Sequence, residues 1–337
     1  MMSSFQGGRY PVLETVKRRF FIFDRSLTII LGLILLLGCL AVSSAAWNFP
    51  GRFEGHLRNI AVGIVVMWIA AMIPPQKLMR FAVPIYVIGL SLLVGVALFG
   101  LIKNGARRWL NVGVIIQPSE IMKLALPLTL AWYFQKREGI QKTWDYAIAG
   151  IILAIPVFLI ARQPDLGTAL LVFAAGLYVI ILAGLPWKWI LPFVGVGVIG
   201  ILLIIIFGST ICAHDVAWPF VHNYQKHRIC TLLDPSSDPL GKGFHTIQSM
   251  IAIGSGGFFG KGWFQGTQAH LEFIPEKHTD FVFAVYSEEF GLLGNLVLLA
   301  LFFALIKRGL AISASAPNLF TRLLGAAITL IFFTYAF

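Results

Sequence analysis

Nine apolar runs divide this chain, and no arrangement of a water-soluble domain accommodates them. They cover Ser26 to Ala46, Leu57 to Ile73, Ala82 to Ile102, Ile121 to Phe134, Tyr146 to Ala161, Gly167 to Gly184, Trp187 to Phe207, Phe281 to Ile306, and a last run from about Leu319. A bilayer core of about 30 Å takes roughly 20 apolar residues per helix. In hydrocarbon every backbone donor and acceptor must be satisfied within the segment, so spans of this kind are helices. The expected fold is therefore an all-α polytopic membrane bundle, a single integral domain over 1–337 with a short N-terminal segment, 1–25, before the first span. The fourth and fifth runs are short and carry Pro127 and Pro156, which neighbouring helices tolerate. Ser26 to Ala46 is long for the core of a cleavable signal and reads as an anchor. The sequence stops at Phe337 inside an apolar run, which reads as a C-terminus cut short.

Between the seventh and eighth runs lies a polar stretch of 72 residues, 208–279, that holds six of the seven histidines. Connections beyond about a dozen residues are functional or disordered more often than not, so this loop is the expected working part. Counting lysines and arginines in the short loops with the N-terminus inside gives fourteen on the inner side and six on the outer. The positive-inside rule then puts the N-terminus in the cytoplasm and the long loop outside it. The formal net charge of +11 is read as this topology signal plus attraction to anionic lipid headgroups, and a nucleic-acid partner is not needed to explain it. Cys212 and Cys230 fall in the outer loop, where a disulfide and two free thiols are equally open readings.

Four clusters of ionisable residues sit at expected helix ends. In the first, Arg107, Arg108 and Trp109 lead to Gln117, Pro118, Ser119, Glu120 and Lys123; Ser119 is placed to cap the helix, and Glu120 and Lys123 at i,i+3 form an ion pair. The cluster is either a capped helix start or a cationic pocket for a phosphate. In the second, Gln163, Pro164 and Asp165 make a tight turn with Asp165 as cap, or bind a ligand. The third is the glycine run Gly254 to Gly262 with Lys261, whose successive amides either form an anion nest or a flexible re-entrant backbone. The fourth is Glu272, Glu276, Lys277, His278, Thr279 and Asp280, which either caps the eighth helix through Thr279 or Asp280 or supplies a general base. Glu288 and Glu289 lie inside an apolar run and are expected to face a polar interior. His214, His222 and His227 are loosely spaced and match no zinc pattern, so no metal site is assigned among protein side chains.

The stretches Gln117 to Lys123 (QPSEIMK), Gln163 to Thr168 (QPDLGT), Asp234 to Gly243 (DPSSDPLGKG), Gln248 to Gly262 (QSMIAIGSGGFFGKG) and Pro275 to Glu289 (PEKHTDFVFAVYSEE) resemble, in order and over nearly the whole chain, the SEDS (shape, elongation, division, sporulation) proteins, on the RodA rather than the FtsW side. The resemblance implies ten-helix enzymes of the bacterial cytoplasmic (inner) membrane that polymerise lipid II into β-1,4-linked glycan strands on its outer face. It further implies partnership with a class B penicillin-binding protein, a transpeptidase, and with other membrane proteins of the elongation complex. Carried over by motif, Asp280 takes the place of the family's essential aspartate and is expected to be the catalytic base. Arg108, Glu120 and Lys123 match positions around the substrate cavity, and Gln163, Asp165, Lys261, Glu276, Lys277 and His278 complete the expected binding set. The sequence departs from the pattern in a segment from Arg108 to Glu120 that is one residue shorter, and in lacking the last helix and the proline- and glycine-rich motif before it.

That chemistry asks for three things: a groove for an isoprenoid tail, cations for a diphosphate, and a base for a sugar hydroxyl. A divalent ion, Mg or Mn, held by the diphosphate and a carboxylate is the one cofactor the reaction invites. Two other classes fit the same composition, a precursor flippase using Glu288 and Glu289, or a non-catalytic scaffold docking a partner through the loop.

Overall fold

The computed structural model describes residues 23–103, 106–111, 113, 115–140, 142–163, 165–212, 216, 226, 229–231, 233–237, 242–270 and 277–336. Every one of the nine apolar runs is helical: α1 Arg25–Ala45, α2 Arg52–Ala71, α3 Pro75–Phe99, α4 Pro118–Lys136, α5 Thr143–Ala161, α6 Leu166–Leu182, α7 Trp187–Ile206, then α11 Val282–Ala314 and α12 Leu319–Ala336. Among the described residues seven of these are long and apolar enough to cross a membrane; α6 is apolar but shorter, and α4, with Glu120 and Lys123 in its first two turns, does not reach that apolarity. Helix ends follow local chemistry. Pro75 starts α3, its missing N–H falling where a helix has no acceptor for one, and Gly100 ends it with an extended backbone. The second helix begins at Arg52, ahead of its apolar run, because its first turn is a charged one.

Two features depart from an all-helical bundle joined by a loop. Between α3 and α4 the chain makes a small antiparallel sheet, β1 Leu101–Lys103, β2 Ala106–Asn111 and β3 Ile115–Ile116, in the order β1-β2-β3. Leu110 pairs with Ile116 and Asn111 with Ile115; the turn is closed by the Gly113 amide donating to the Asn111 side chain at 3.1 Å, with Gly113 at φ +92. Second, the stretch expected as one polar loop contains helices of its own, α8 Gly208–Ile211, a 3₁₀ turn Pro235–Ser237, α9 Lys242–Ser255 and α10 Thr267–His270. A disulfide joins Cys212 and Cys230, eighteen residues apart. Closing a loop of that length removes chain entropy worth about 3 kcal/mol from the unfolded state. Reduction, or Cys212→Ser, is therefore expected to lower the thermal midpoint of the purified protein, and the two treatments together should do no more than either alone.

The helices group into two compact units. One gathers the chain up to Gly32 with Ala61–Gly184 and Phe303–Phe337; the other holds Leu33–Ile60 and Leu185–Phe302. In the first unit α4 is the central helix, packed by α3, α5, α6 and α12, and it buries Met122, Leu126, Leu130 and Phe134 completely. Lipid gives packed helices no hydrophobic drive against each other, so close approach and cross-helix hydrogen bonds carry the association. A methyl group on Gly176 would lie 2.6 Å from Leu153 and 2.9 Å from Leu126, so the glycine is what admits α6 so close. Thr129 donates to the Ala82 carbonyl at 3.0 Å, Tyr86 to that of Ile152 at 2.7 Å, and the Phe320 amide to Gln135 at 2.8 Å. At the start of α1 the Arg308 guanidinium grips Asp24 at 2.6 Å and, with the Leu27 amide, holds its carboxyl down to about 2.

In the second unit α7 buries none of its residues. Exposed apolar area on that scale belongs against lipid or protein rather than water.

Candidate functional site

Residues 277–280 form a turn directly before α11. The Lys277 side chain is almost fully buried, its ammonium 5.7 Å from the centre of the Phe49 ring. His278 tilts against the same ring, centroids 4.9 Å apart, and its buried Nδ1 has no hydrogen-bond partner. Phe49 thus braces two consecutive residues, and the next two, Thr279 and Asp280, are left exposed. His278 and Thr279 line a cavity of about 320 Å³, with Val42, Gly51, Arg52, Gly55, His56, Arg58 and Asn59 on its other walls. Arg52, Gly55, His56 and Asn59 fall at i, i+3, i+4 and i+7 of α2, a single helix face. Asp280 is the next residue in the chain after Thr279 and is not itself one of the lining residues. Glu272 and Glu276, expected beside it, and His214, His222 and His227 lie outside the described residues.

The glycine run does something other than cradle an anion. The long apolar run of α11 is broken at Gly291, whose backbone (φ 64, ψ −162) is not helical. A break strands carbonyls and amides of the flanking turns, and the glycine run supplies their partners. Lys261 and Gly262 donate their amides to the carbonyls of Glu288 and Glu289, both at 3.0 Å, while the amides of Leu292 and Leu293 donate to Gly257 and Phe258, also at 3.0 Å. A side chain would not fit there: a Cβ on Gly256 would stand 2.2 Å from the Ser287 carbonyl, and one on Gly260 2.1 Å from that of Glu289. Of the two readings open for this run, an anion nest or a flexible re-entrant backbone, the fold shows a third, a clasp, because the amides of Lys261 and Gly262 are spent on α11 itself.

The side chains complete the clasp. Glu288 is fully buried, and its Oε1 accepts from Lys261 at 2.7 Å, Thr267 at 3.0 Å and the Gln268 amide at 3.0 Å. Glu289 accepts from Ser44 and, at 3.2 Å, from the Phe264 amide. The two carboxylates do face a polar interior, one made of loop backbone and a lysine. Removing one partner of a buried pair leaves an uncompensated charge at a cost of about 3–5 kcal/mol. Lys261→Met is accordingly expected to lower the unfolding midpoint sharply, with most of the loss recovered in Lys261→Met combined with Glu288→Leu.

In the first unit the structure brings Arg108 to Asp165, 3.8 Å apart. Asp165 caps α6, accepting from the Thr168 amide at 3.3 Å, and also accepts from Gln117 at 3.2 Å. Gln163 is buried and donates to the Leu93 carbonyl at 3.0 Å, which makes it a tie to α3. Glu120 and Lys123 form the i,i+3 ion pair at 2.7 Å, and Lys123 further donates to the Tyr335 hydroxyl and lies over its ring. Ser119 does not cap α4. Pro118 takes the first helical position, Gln117 stands at the cap without a side-chain bond to the helix, and Ser119 accepts from Gln117 at 3.1 Å. The cavity wall Arg52, His56, Arg58 and Asn59 was not among the expected site residues. Its signal was the polar face of α2 with a glycine at its centre, hidden because two of those residues also serve as topology charges.

Comparison with known proteins agrees with this architecture. Residues 18–337 match the family model of the FtsW, RodA and SpoVE type, described as cell cycle protein. The chain is 44% identical over 316 residues to a peptidoglycan glycosyltransferase, MrdB, of Escherichia coli K12, covering 93% of this chain and 82% of that one. Among solved structures it is similar to a chain studied for the structural coordination of polymerization and crosslinking by a peptidoglycan synthase complex, with a TM-score of 0.71 and 34% identity over 92% of this chain and 83% of the other. It is also similar to the rod shape determining protein RodA of Thermus thermophilus, with a TM-score of 0.62 and 28% identity over 92% and 81% of the two chains. The chain belongs to the FtsW, RodA and SpoVE family of cell cycle proteins.

Proposed function

We propose that the protein is a peptidoglycan glycosyltransferase that polymerises lipid II into β-1,4-linked glycan strands at the outer face of the bacterial cytoplasmic membrane during elongation. The observation that carries this reading is an exposed Asp280 next in the chain after His278 and Thr279, which line a cavity that also holds arginine and histidine. The names of the relatives support it. Asp280 takes the proton of the acceptor GlcNAc hydroxyl, whose oxygen attacks the anomeric carbon of the donor MurNAc from the face opposite the diphosphate. The new C–O bond forms as the bond to undecaprenyl diphosphate breaks, the configuration inverts, and the electron pair leaves on a phosphate oxygen. Inverting glycosidases also need an acid for the leaving group; a diphosphate is already a stable anion, so one base and electrostatic stabilisation suffice. A cavity of this volume stands at the small end of ligand clefts, enough for a diphosphate with part of one sugar, so most of both saccharide headgroups is held outside it.

In this reading the N-terminus is cytoplasmic, the segment 208–279 is extracytoplasmic, and a class B penicillin-binding protein crosslinks the product. Arg108, Lys123 and their carboxylates shape the substrate surface of the first unit. Among the described residues no cluster of three or more histidine, cysteine or carboxylate side chains is arranged around an ion. Mg or Mn would therefore be held chiefly by the substrate's diphosphate, neutralising its charge as it leaves. A transporter would draw on Glu288 and Glu289, and both are bound into the clasp. The test is polymer formation from labelled lipid II by the purified protein in detergent, where no second compartment exists: glycan strands support the enzyme, and their absence in the presence of its partner would falsify it.

A further inference from the structure

We propose that the N-terminal turn of α2 is a diphosphate-binding site, with Arg52, Arg58 and His56 as its cationic wall and Gly55 as its floor. The inference deepens the glycosyltransferase reading and rests on it for the identity of the lipid that carries the group.

Three independent observations point the same way. The first is which cations have partners. Lys261 is bound to Glu288 at 2.7 Å, Lys123 to Glu120 at 2.7 Å, Arg108 lies 3.8 Å from Asp165, and Lys277 is buried against Phe49. Arg52 and Arg58 have no carboxylate within ion-pair distance among the described residues, and no aspartate or glutamate lines the cavity they share with His56 and His278. Among its described lining residues the pocket has two guanidinium groups, two imidazoles and no acid, a charge set that favours the entry of an anion. The second is shape. A Cβ on Gly55 would meet nothing within 4 Å, although the residue sits in mid-turn on the cavity-lining face, so the space over it is open. The third is direction. The cavity lies against the first two turns of a 20-residue helix, the end at which the helix dipole favours negative charge and where Glu54, in the same first turn, points to the same preference. Guanidinium forks match phosphate oxygens in pairs, and although Arg52 and Arg58 stand about 1.7 turns apart along α2, both line the one cavity, so each side of it presents a fork to a group with two phosphates. The unpartnered Nδ1 of His278 puts a further polar atom on the side next to Asp280.

The experiment uses the full chain in phosphatidylcholine nanodiscs and reads binding of inorganic diphosphate, and of a polyisoprenyl diphosphate lipid doped into the disc, by phosphorus NMR. Wild type is expected to bind both, with inorganic diphosphate displacing the lipid. Arg52→Gln with Arg58→Gln should weaken both about 100-fold, the loss of two charge-assisted contacts. Gly55→Leu, which keeps every charge and favours the helix, should weaken them at least about 10-fold while the unfolding midpoint stays put. Wild-type binding by either variant overturns the site, as does equal displacement by phosphatidylglycerol, which would make it a general anionic surface. Asp280→Asn separates the two readings: it should still bind diphosphate and no longer polymerise. If it polymerises, the base assignment falls while the binding result stands on its own; if it neither binds nor polymerises, the site assignment falls.

Discussion

Asp280→Asn is expected to reduce lipid II polymerisation by about 10²–10⁴-fold, the contribution of a positioned general base. Asparagine is nearly isosteric and cannot take a proton from a sugar hydroxyl. The folded state should hardly notice the change, since Asp280 is exposed and takes no part in the clasp that holds α11. The measurement is turnover with labelled substrate alongside the unfolding midpoint of the same preparation. Loss of turnover at an unchanged midpoint supports the base, and full activity removes it. Asp280→Glu keeps the carboxylate and displaces it by one methylene, so partial recovery is expected there.

Gly260→Ala is expected to do the opposite, abolishing the folded protein and with it everything else. The backbone at this position has φ +81, and the added methyl group would stand 2.1 Å from the Glu289 carbonyl oxygen and 2.5 Å from its carbon. Backbone strain of about 1–3 kcal/mol adds to a clash with main chain that cannot rotate away. The sum, about 2–6 kcal/mol, reaches the low end of the stability of whole domains. Gly257→Ala provides the contrast. Its φ of +57 is also left-handed, yet a Cβ there meets nothing within 4 Å, so only the strain remains. The check is the yield of monodisperse protein and its unfolding midpoint, with Gly260→Ala well below Gly257→Ala.

Much of the bundle was legible because the bilayer imposes one requirement on all segments alike, and the nine runs register it directly. The features that escaped are those that depend on partners distant in the sequence. The apolar stretch from Val282 onward is continuous, and nothing local announces that Gly291 breaks it; the break exists because Gly257 to Gly262, some thirty residues earlier, receives the freed carbonyls and amides. For the same reason the glycine run reads as an anion nest from its composition and is a clasp in the fold. Lys261 reads as a ligand, and the clue to its real partner was the cost of leaving Glu288 uncompensated within an apolar helix. The strands 101–116 are two to six residues long, below the length at which alternation stands out. At the site, Asp280 was assigned through its motif, whereas Arg52 was read only for topology although its spacing with Gly55, His56 and Asn59 marks one face of a helix; Arg58, about a third of a turn off that face, reaches the cavity from its edge. Ser119 was assigned a cap by residue type, and Pro118 decided otherwise by taking the position itself.

The bare flank of α7 sets a different rule for change than the clasp does. With none of Trp187–Ile206 buried, the described neighbours constrain few of the side chains there, and exchange among leucine, isoleucine, valine and phenylalanine should carry little penalty. A single arginine at its midpoint would still cost about 2.5–3.5 kcal/mol on insertion. Selection along that helix therefore acts on summed oiliness, letter by letter interchangeable, while in the clasp Gly256 and Gly260 tolerate no spelling but their own.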